Sequence, residues 1–325
     1  MARFLHSMPL PTRDFPASST LGPLDLPVNP LSVVLLSFEL TNTNPAALLT
    51  YSAVDDLLTN VTSVIIKHKG ENIISGQLRD LAYINGVLFR RHLGWDRLAQ
   101  TNAGIRRITV PLGFGRRAYD PKECFPATSR GNLTLELTRG ANPAGFSDCN
   151  LIVETVELIE ADPERYLKYT PQAATFVVGQ NEIPLPIGNP YIALAFFDTA
   201  LATLDTATST WGQVKLLKDN VEQYFPNSDA QTLAAMNNMN ASELIMDPGH
   251  VHGFDGAQAG MAVSDDAVVP VSQGYRGFFS MNFDPLGDGS YLLETAGAAD
   301  IKVRAIGTSA TAARVTPVEL VTVKK

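Results

Sequence analysis

Leu26-Pro27-Val28-Asn29-Pro30 runs straight into the apolar segment Leu31-Ser32-Val33-Val34-Leu35-Leu36-Ser37-Phe38. The pattern has an echo. Leu185-Pro186-Ile187-Gly188-Asn189-Pro190 leads into Tyr191-Ile192-Ala193-Leu194-Ala195-Phe196-Phe197. Each copy joins a turn signal to a β-rich run. Pro30 and Pro190 stand 160 residues apart in a chain of 325, close to half its length. The spacing points to one fold written twice.

Further echoes keep the same order. Val64 matches Val214 at an offset of 150, and Arg107 and Phe114 match Arg276 and Phe283 at 169. Leu133 matches Ile301 at 168, and Val156-Glu157-Leu158-Ile159 matches Val318-Glu319-Leu320-Val321 at 162. A helical period falls between early and late strands in both halves. Apolar residues at 78, 81, 84 and 88 predict a helix over about 77–92, with Ser75 as cap and Gly94 as stop. In the second half Ser228-x-x-Gln231 is a capping-box pattern and predicts a helix over about 228–239. Predicted strands cover 31–41, 61–67, 107–114, 132–138 and 151–159, then 185–197, 211–217, 276–283, 301–305 and 318–321. The larger offset after the second helix fits a long Gly/Asp-rich loop at 241–273.

Two halves of about 150 residues, each mostly strand with one helix between strand groups, suit two domains. The expected fold is all-β: two tandem jelly-roll β-barrels, each with a short mid-barrel helix. The expected boundaries are an N-terminal arm at 1–22, a first jelly roll at 23–162, a linker at 163–182 and a second jelly roll at 183–325.

Bulk chemistry narrows the function. The net charge is -8 and the pI about 5.1, against the basic face that gripping nucleic-acid phosphates needs. The two cysteines, Cys124 and Cys149, make neither a disulfide framework nor a zinc set, and read as reduced structural residues. The N-terminus lacks the apolar core of a signal peptide, and no segment reaches the ~20 apolar residues of a membrane helix. A soluble protein folded in a cytoplasm is expected.

The sharpest enzymatic pattern is Asp247-Pro248-Gly249-His250-Val251-His252-Gly253-Phe254-Asp255. It resembles the first metal motif of cupins, with His250, His252 and Asp255 as candidate ligands. The motif wants a glutamate soon after, and a later histidine, but no histidine follows His252. The first half has no His-x-His. The pair therefore reads as surface-loop histidines, with no catalytic residue, no cofactor and no enzyme activity expected. Phosphate-binding, dinucleotide and nucleophile-elbow motifs do not occur. Asp55-Asp56 and Asp265-Asp266 read as solvated acids. Asn60-Val61-Thr62, Asn132-Leu133-Thr134 and Asn240-Ala241-Ser242 match glycosylation acceptors without a secretory signal. Arg90-Arg91, Arg106-Arg107 and Arg116-Arg117 leave three readings open: intersubunit salt bridges, anionic lipid contacts or exposed charge.

The paired Asn-Pro strand starts, the two mid-barrel helices, the linker and the unequal loop together resemble a double jelly-roll major capsid protein. The family is that of tailless, membrane-containing icosahedral viruses, the lineage that includes the adenovirus hexon, and the chain length suits its bacteriophage-like members. The resemblance implies a homotrimer of six barrels, pseudo-hexagonal in outline, tiling an icosahedral shell over an internal membrane. It implies neighbouring capsomers, minor capsid and penton proteins as partners, lipid contact through the N-terminal arm, and no sequence-specific nucleic-acid binding. It places the chain in the virion capsid, assembled in the host cytoplasm. The alternatives are a two-barrel cupin-like metalloenzyme and a β-sandwich carbohydrate-binding or adhesion protein. For the last, only Trp95 and Trp211 could offer tryptophan platforms, and both adjoin predicted core elements.

Overall fold

The computed structural model describes residues 3–43, 57–91, 93–98, 103–143, 146–199, 208, 210–240 and 277–323. These divide into two compact units, one ending at Tyr166 and the other starting at Leu167.

The first unit is built from β1 (Arg3–Asp14), β2 (Thr20–Asp25), β3 (Leu31–Asn42), β4 (Ser63–His68) and β5 (Glu71–Gly76), then β6 (Gly94–Leu98), β7 (Ile105–Gly113), β8 (Leu133–Thr138) and β9 (Phe146–Ile159). One sheet orders β1-β9-β3-β7, extended by β6, and the other orders β2-β8-β4-β5, all antiparallel. β10 (Arg165–Tyr169) follows at the junction.

The second unit is built from β11 (Gln172–Thr175), β12 (Gly179–Pro184), β13 (Tyr191–Asp198), β14 (Trp211–Lys218), β15 (Val221–Asp229), β16 (Phe278–Asn282), β17 (Ile301–Gly307) and β18 (Ala312–Thr322). Its sheets order β11-β18-β13-β16 and β12-β17-β14-β15. With β6 and β10 set aside and the strands renumbered within each unit, both give 1-8-3-6 and 2-7-4-5. Eight antiparallel strands in two four-stranded sheets are a jelly roll, and the same one is written twice.

Local chemistry explains the strands. In β8 Leu133, Leu135 and Leu137 are buried, while Thr134, Glu136 and Thr138 face outward, the period of a half-covered sheet. β3 and β13 lie in the middle of their sheets and are buried almost throughout, so their sequences run nearly continuously apolar. In the second unit Phe196 stacks on Phe279 with centroids 4.5 Å apart. The Trp211 ring meets Phe176 and Phe196 edge-on at 4.5 and 5.1 Å. Burying each such ring stabilises the barrel by roughly 1.5–3 kcal/mol.

The N-terminal residues are barrel, not arm. β1 pairs with β9 from Arg3↔Ile159 to Asp14↔Asn150 and is the first strand of the first jelly roll. It is an edge strand whose one buried side chain is Leu10, so the alternation that marks a strand is missing. Residues 163–182 likewise hold β10, β11 and the start of β12. β11 is only four residues long, too short to show a period.

The helices differ in detail. In the first unit α1 (Leu78–Tyr83) passes into a π-helical turn at Ile84–Leu88. It stops there because Arg90 turns left-handed (φ 54°), while Gly94 opens β6. Ser75 belongs to β5, and Gln77 holds the N-cap position without a side-chain capping bond. In the second unit α2 (Ala230–Asn240) is capped by Asp229, whose carboxylate accepts the Thr232 N–H at 2.9 Å. Ser228 stays in β15.

Candidate functional site

The Asn-Pro motif and the Val-Glu-Leu motif meet in space, in both units. Asn29 Nδ2 donates to Glu157 Oε2 at 2.7 Å, and Asn189 Nδ2 donates to Glu319 Oε2 at 2.7 Å. Beside them the Leu158 N–H donates to the Pro30 carbonyl at 2.7 Å, and the Leu320 N–H to the Pro190 carbonyl at 2.9 Å. One residue on, the Leu31 N–H donates to Phe125 O and the Tyr191 N–H to Leu293 O. Proline has no N–H to leave unpaired and fixes its own φ. The preceding asparagine is thus free to clamp the glutamate of the last strand. Both glutamates are buried, and a buried carboxylate needs such donors. The clamp ties the Asn-Pro turn to the last strand of each unit.

The first unit carries a second charged knot. Arg116 Nε and Nη2 donate to the two Glu123 oxygens at 2.9 and 2.5 Å, and Arg165 Nη2 reaches Glu123 Oε1 at 3.1 Å. Burial alone would raise the Glu123 pKa, but the hydrogen bonds and charge of Arg116, with Arg165, hold it below the ordinary carboxylate value. The loop fits tightly here: a Cβ on Gly115 would lie 1.9 Å from the Glu123 carbonyl oxygen.

The arginine pairs split. Arg91 donates to Asn85 and to the Gly115 carbonyl, Arg106 is buried, and Arg107 lies 3.6 Å from Glu154. Burial pushes the Arg106 guanidinium down to about 10. Only Arg90 and Arg117 of the three pairs are exposed. The Asn85 side chain accepts the Gly113 N–H at 3.0 Å and donates to Leu81 O at 2.9 Å, tying the π-helical turn to β7. No residue period announces Asn85 or Glu123, because their partners lie on other elements.

Cys124 and Cys149 are free and buried, and burial pushes each thiol up to about 12. His250, His252 and Asp255 lie outside the described residues, as do Asp55, Asp56, Asp265, Asp266 and the whole of loop 241–273. Asn60 of the first glycosylation triplet donates to the Ala141 carbonyl. On β1, Phe4, Leu5 and Met8 are exposed, with Tyr119 edge-on to Phe4 at 5.6 Å.

No family model matches the sequence, and no curated protein matches it. Solved structures do match. The major capsid protein of bacteriophage PM2 aligns over 100% of this chain and 99% of its own, at 13% identity and TM-score 0.59. The STIV major capsid protein aligns over 98% and 97%, at 13% identity and TM-score 0.66. A chain of the PBCV-1 virus capsid aligns over 98% and 94%, at 11% identity and TM-score 0.61.

The chain is a double jelly roll.

Each of these double jelly rolls is a capsid component by its own description. Identities of 11–13% make the likeness one of fold, and fold alone does not fix function. Within this double jelly roll the Asn-Glu clamp recurs at the same place in each barrel.

Proposed function

We propose that the chain is a major capsid protein that trimerises into pseudo-hexagonal capsomers and tiles an icosahedral shell. The observation carrying this reading is the fold likeness along nearly the whole length of both partners, 98–100% of this chain and 94–99% of the capsid chains. Three copies of a two-barrel chain supply six similar barrels, which suit a six-fold outline. Each barrel buries its own core, so assembly needs only lateral surfaces, commonly over ~2,000 Å² in permanent complexes. Its partners are its own copies, neighbouring capsomers and the minor and penton proteins at the shell's vertices. It acts in the virion capsid after assembly in the host cytoplasm.

Exposed Phe4, Leu5 and Met8 beside Arg3 and Arg13 give β1 the apolar-plus-basic character that an anionic lipid surface attracts. The proposal turns this strand toward an internal membrane. Negative-stain imaging of the purified chain tests the assembly reading. Hexagonally outlined trimers support it, and a field of separate monomers overturns it.

A further inference from the structure

The two barrels differ in the hairpin that follows their third strand. In the first, β4 and β5 slip by a single residue: Ile66 faces Ile74 and Lys67 faces Asn72. In the second, Val214 faces Ser228 but Leu216 faces Gln223, so β15 carries Tyr224, Phe225, Pro226 and Asn227 opposite Lys215 alone. Tyr224 turns left-handed there (φ 47°), an uncommon conformation for a bulky residue. Its ring and that of Phe225 lie 5.6 and 5.8 Å from Phe283, anchoring the bulge.

The bulge walls a cleft of about 340 Å³ on the outward face of the sheet β12-β17-β14-β15. That volume falls in the ~300–1,000 Å³ range of small-ligand sites. Two rungs of the sheet contribute side chains to it. Gln180 and Ile306 are register partners, with Gln213 on the neighbouring strand. In the next rung Glu182, Arg304 and Lys215 are consecutive partners across β12, β17 and β14.

The charges cancel locally. Arg304 donates to Glu182 at 2.8 and 2.5 Å, and Lys215 donates to Glu222 at 3.0 Å. Lys302 adds a contact to Glu182 at 3.2 Å and to Asp300 at 3.2 Å. An anion would compete with Glu182 and Glu222 for these cations, and a cation would meet them already neutralised. The amides of Gln180, Gln213 and Asn227 offer both donors and acceptors. Pro226 and Ile306 supply small apolar surface beside them.

We infer that this cleft binds an uncharged polyhydroxylated ligand, a neutral sugar residue of a glycan. Each sugar hydroxyl donates and accepts, as each amide does, and the C–H face of the ring packs on Pro226 and Ile306. The site is independent of the capsid reading; on a shell, many weak copies would bind a glycan surface by avidity.

The test is saturation-transfer NMR on the full chain with glucose, galactose, mannose, N-acetylglucosamine and N-acetylgalactosamine at millimolar concentration. N-acetylneuraminic acid and inorganic phosphate are the charged comparators. Transfer to at least one neutral sugar is expected, with affinity reduced about tenfold in the Gln213→Ala/Asn227→Ala variant and unchanged in Thr134→Ala. Gln213 and Asn227 are exposed, so the variant keeps the fold, and a circular-dichroism melt checks this. No transfer to any neutral sugar, equal transfer in the double variant, or stronger binding of either charged probe overturns the inference.

Discussion

Asn29 and Glu157 are 128 residues apart in sequence and 2.7 Å apart in the structure. Asn189 and Glu319, 130 residues apart, repeat the bond at the same length. Replacing Asn29 or Asn189 with alanine leaves a buried carboxylate short of a donor, a loss of about 1–3 kcal/mol. Urea unfolding should show a comparable loss for either variant. A loss in only one barrel would contradict the equivalence of the two clamps.

Glu123 sets an acid limit on the first unit. Its folded pKa lies below the ordinary carboxylate value because the Arg116 bonds and charge, with Arg165, outweigh the opposing burial. Its stabilisation is therefore complete above the unfolded pKa of ~4.3 and is lost as pH falls through the lower folded value. Glu123→Gln should be less stable at pH 7, since it removes the carboxylate charge that pairs with Arg116 and Arg165. It should also lose stability less steeply than the parent below about pH 4. Thermal unfolding from pH 2 to 7 checks both.

Gly115→Ala forces a methyl into the Glu123 carbonyl, 1.9 Å away. Backbone cannot swing aside as a side-chain tip can, so a cost of about 1–3 kcal/mol or more is expected. Comparison with Gly131→Ala separates crowding from backbone effects: a Cβ there meets nothing within 4 Å, though its φ of 79° adds strain.

Both cysteines should resist labelling. With the thiols pushed up to about 12 and buried, a thiol reagent at pH 8 should modify neither in the native protein and both in denaturant. Rapid native labelling would contradict their placement.

The sequence shows its repeat best where side chains alternate or run apolar in mid-sheet. β3, β8, β13 and β18 are of that kind, and so is the Asn-Pro to Val-Glu-Leu correspondence. It hides what lies at edges. β1 exposes most of its side chains, β11 has four residues, and β5 starts directly after a two-residue turn. Helix ends shifted because Arg90 and Asp229, not Gly94 and Ser228, supply the stop and the cap. Glu123 gives no sequence signal because Arg165 comes to it from 42 residues away. The four-residue bulge of β15 emerges only when the two barrels are laid rung on rung.

The proposed capsid role requires the chain to assemble with its own copies. Light scattering coupled to size-exclusion chromatography measures this directly. A species of three times the 35.1 kDa chain mass is predicted. A single 35.1 kDa species at every concentration reached would contradict it.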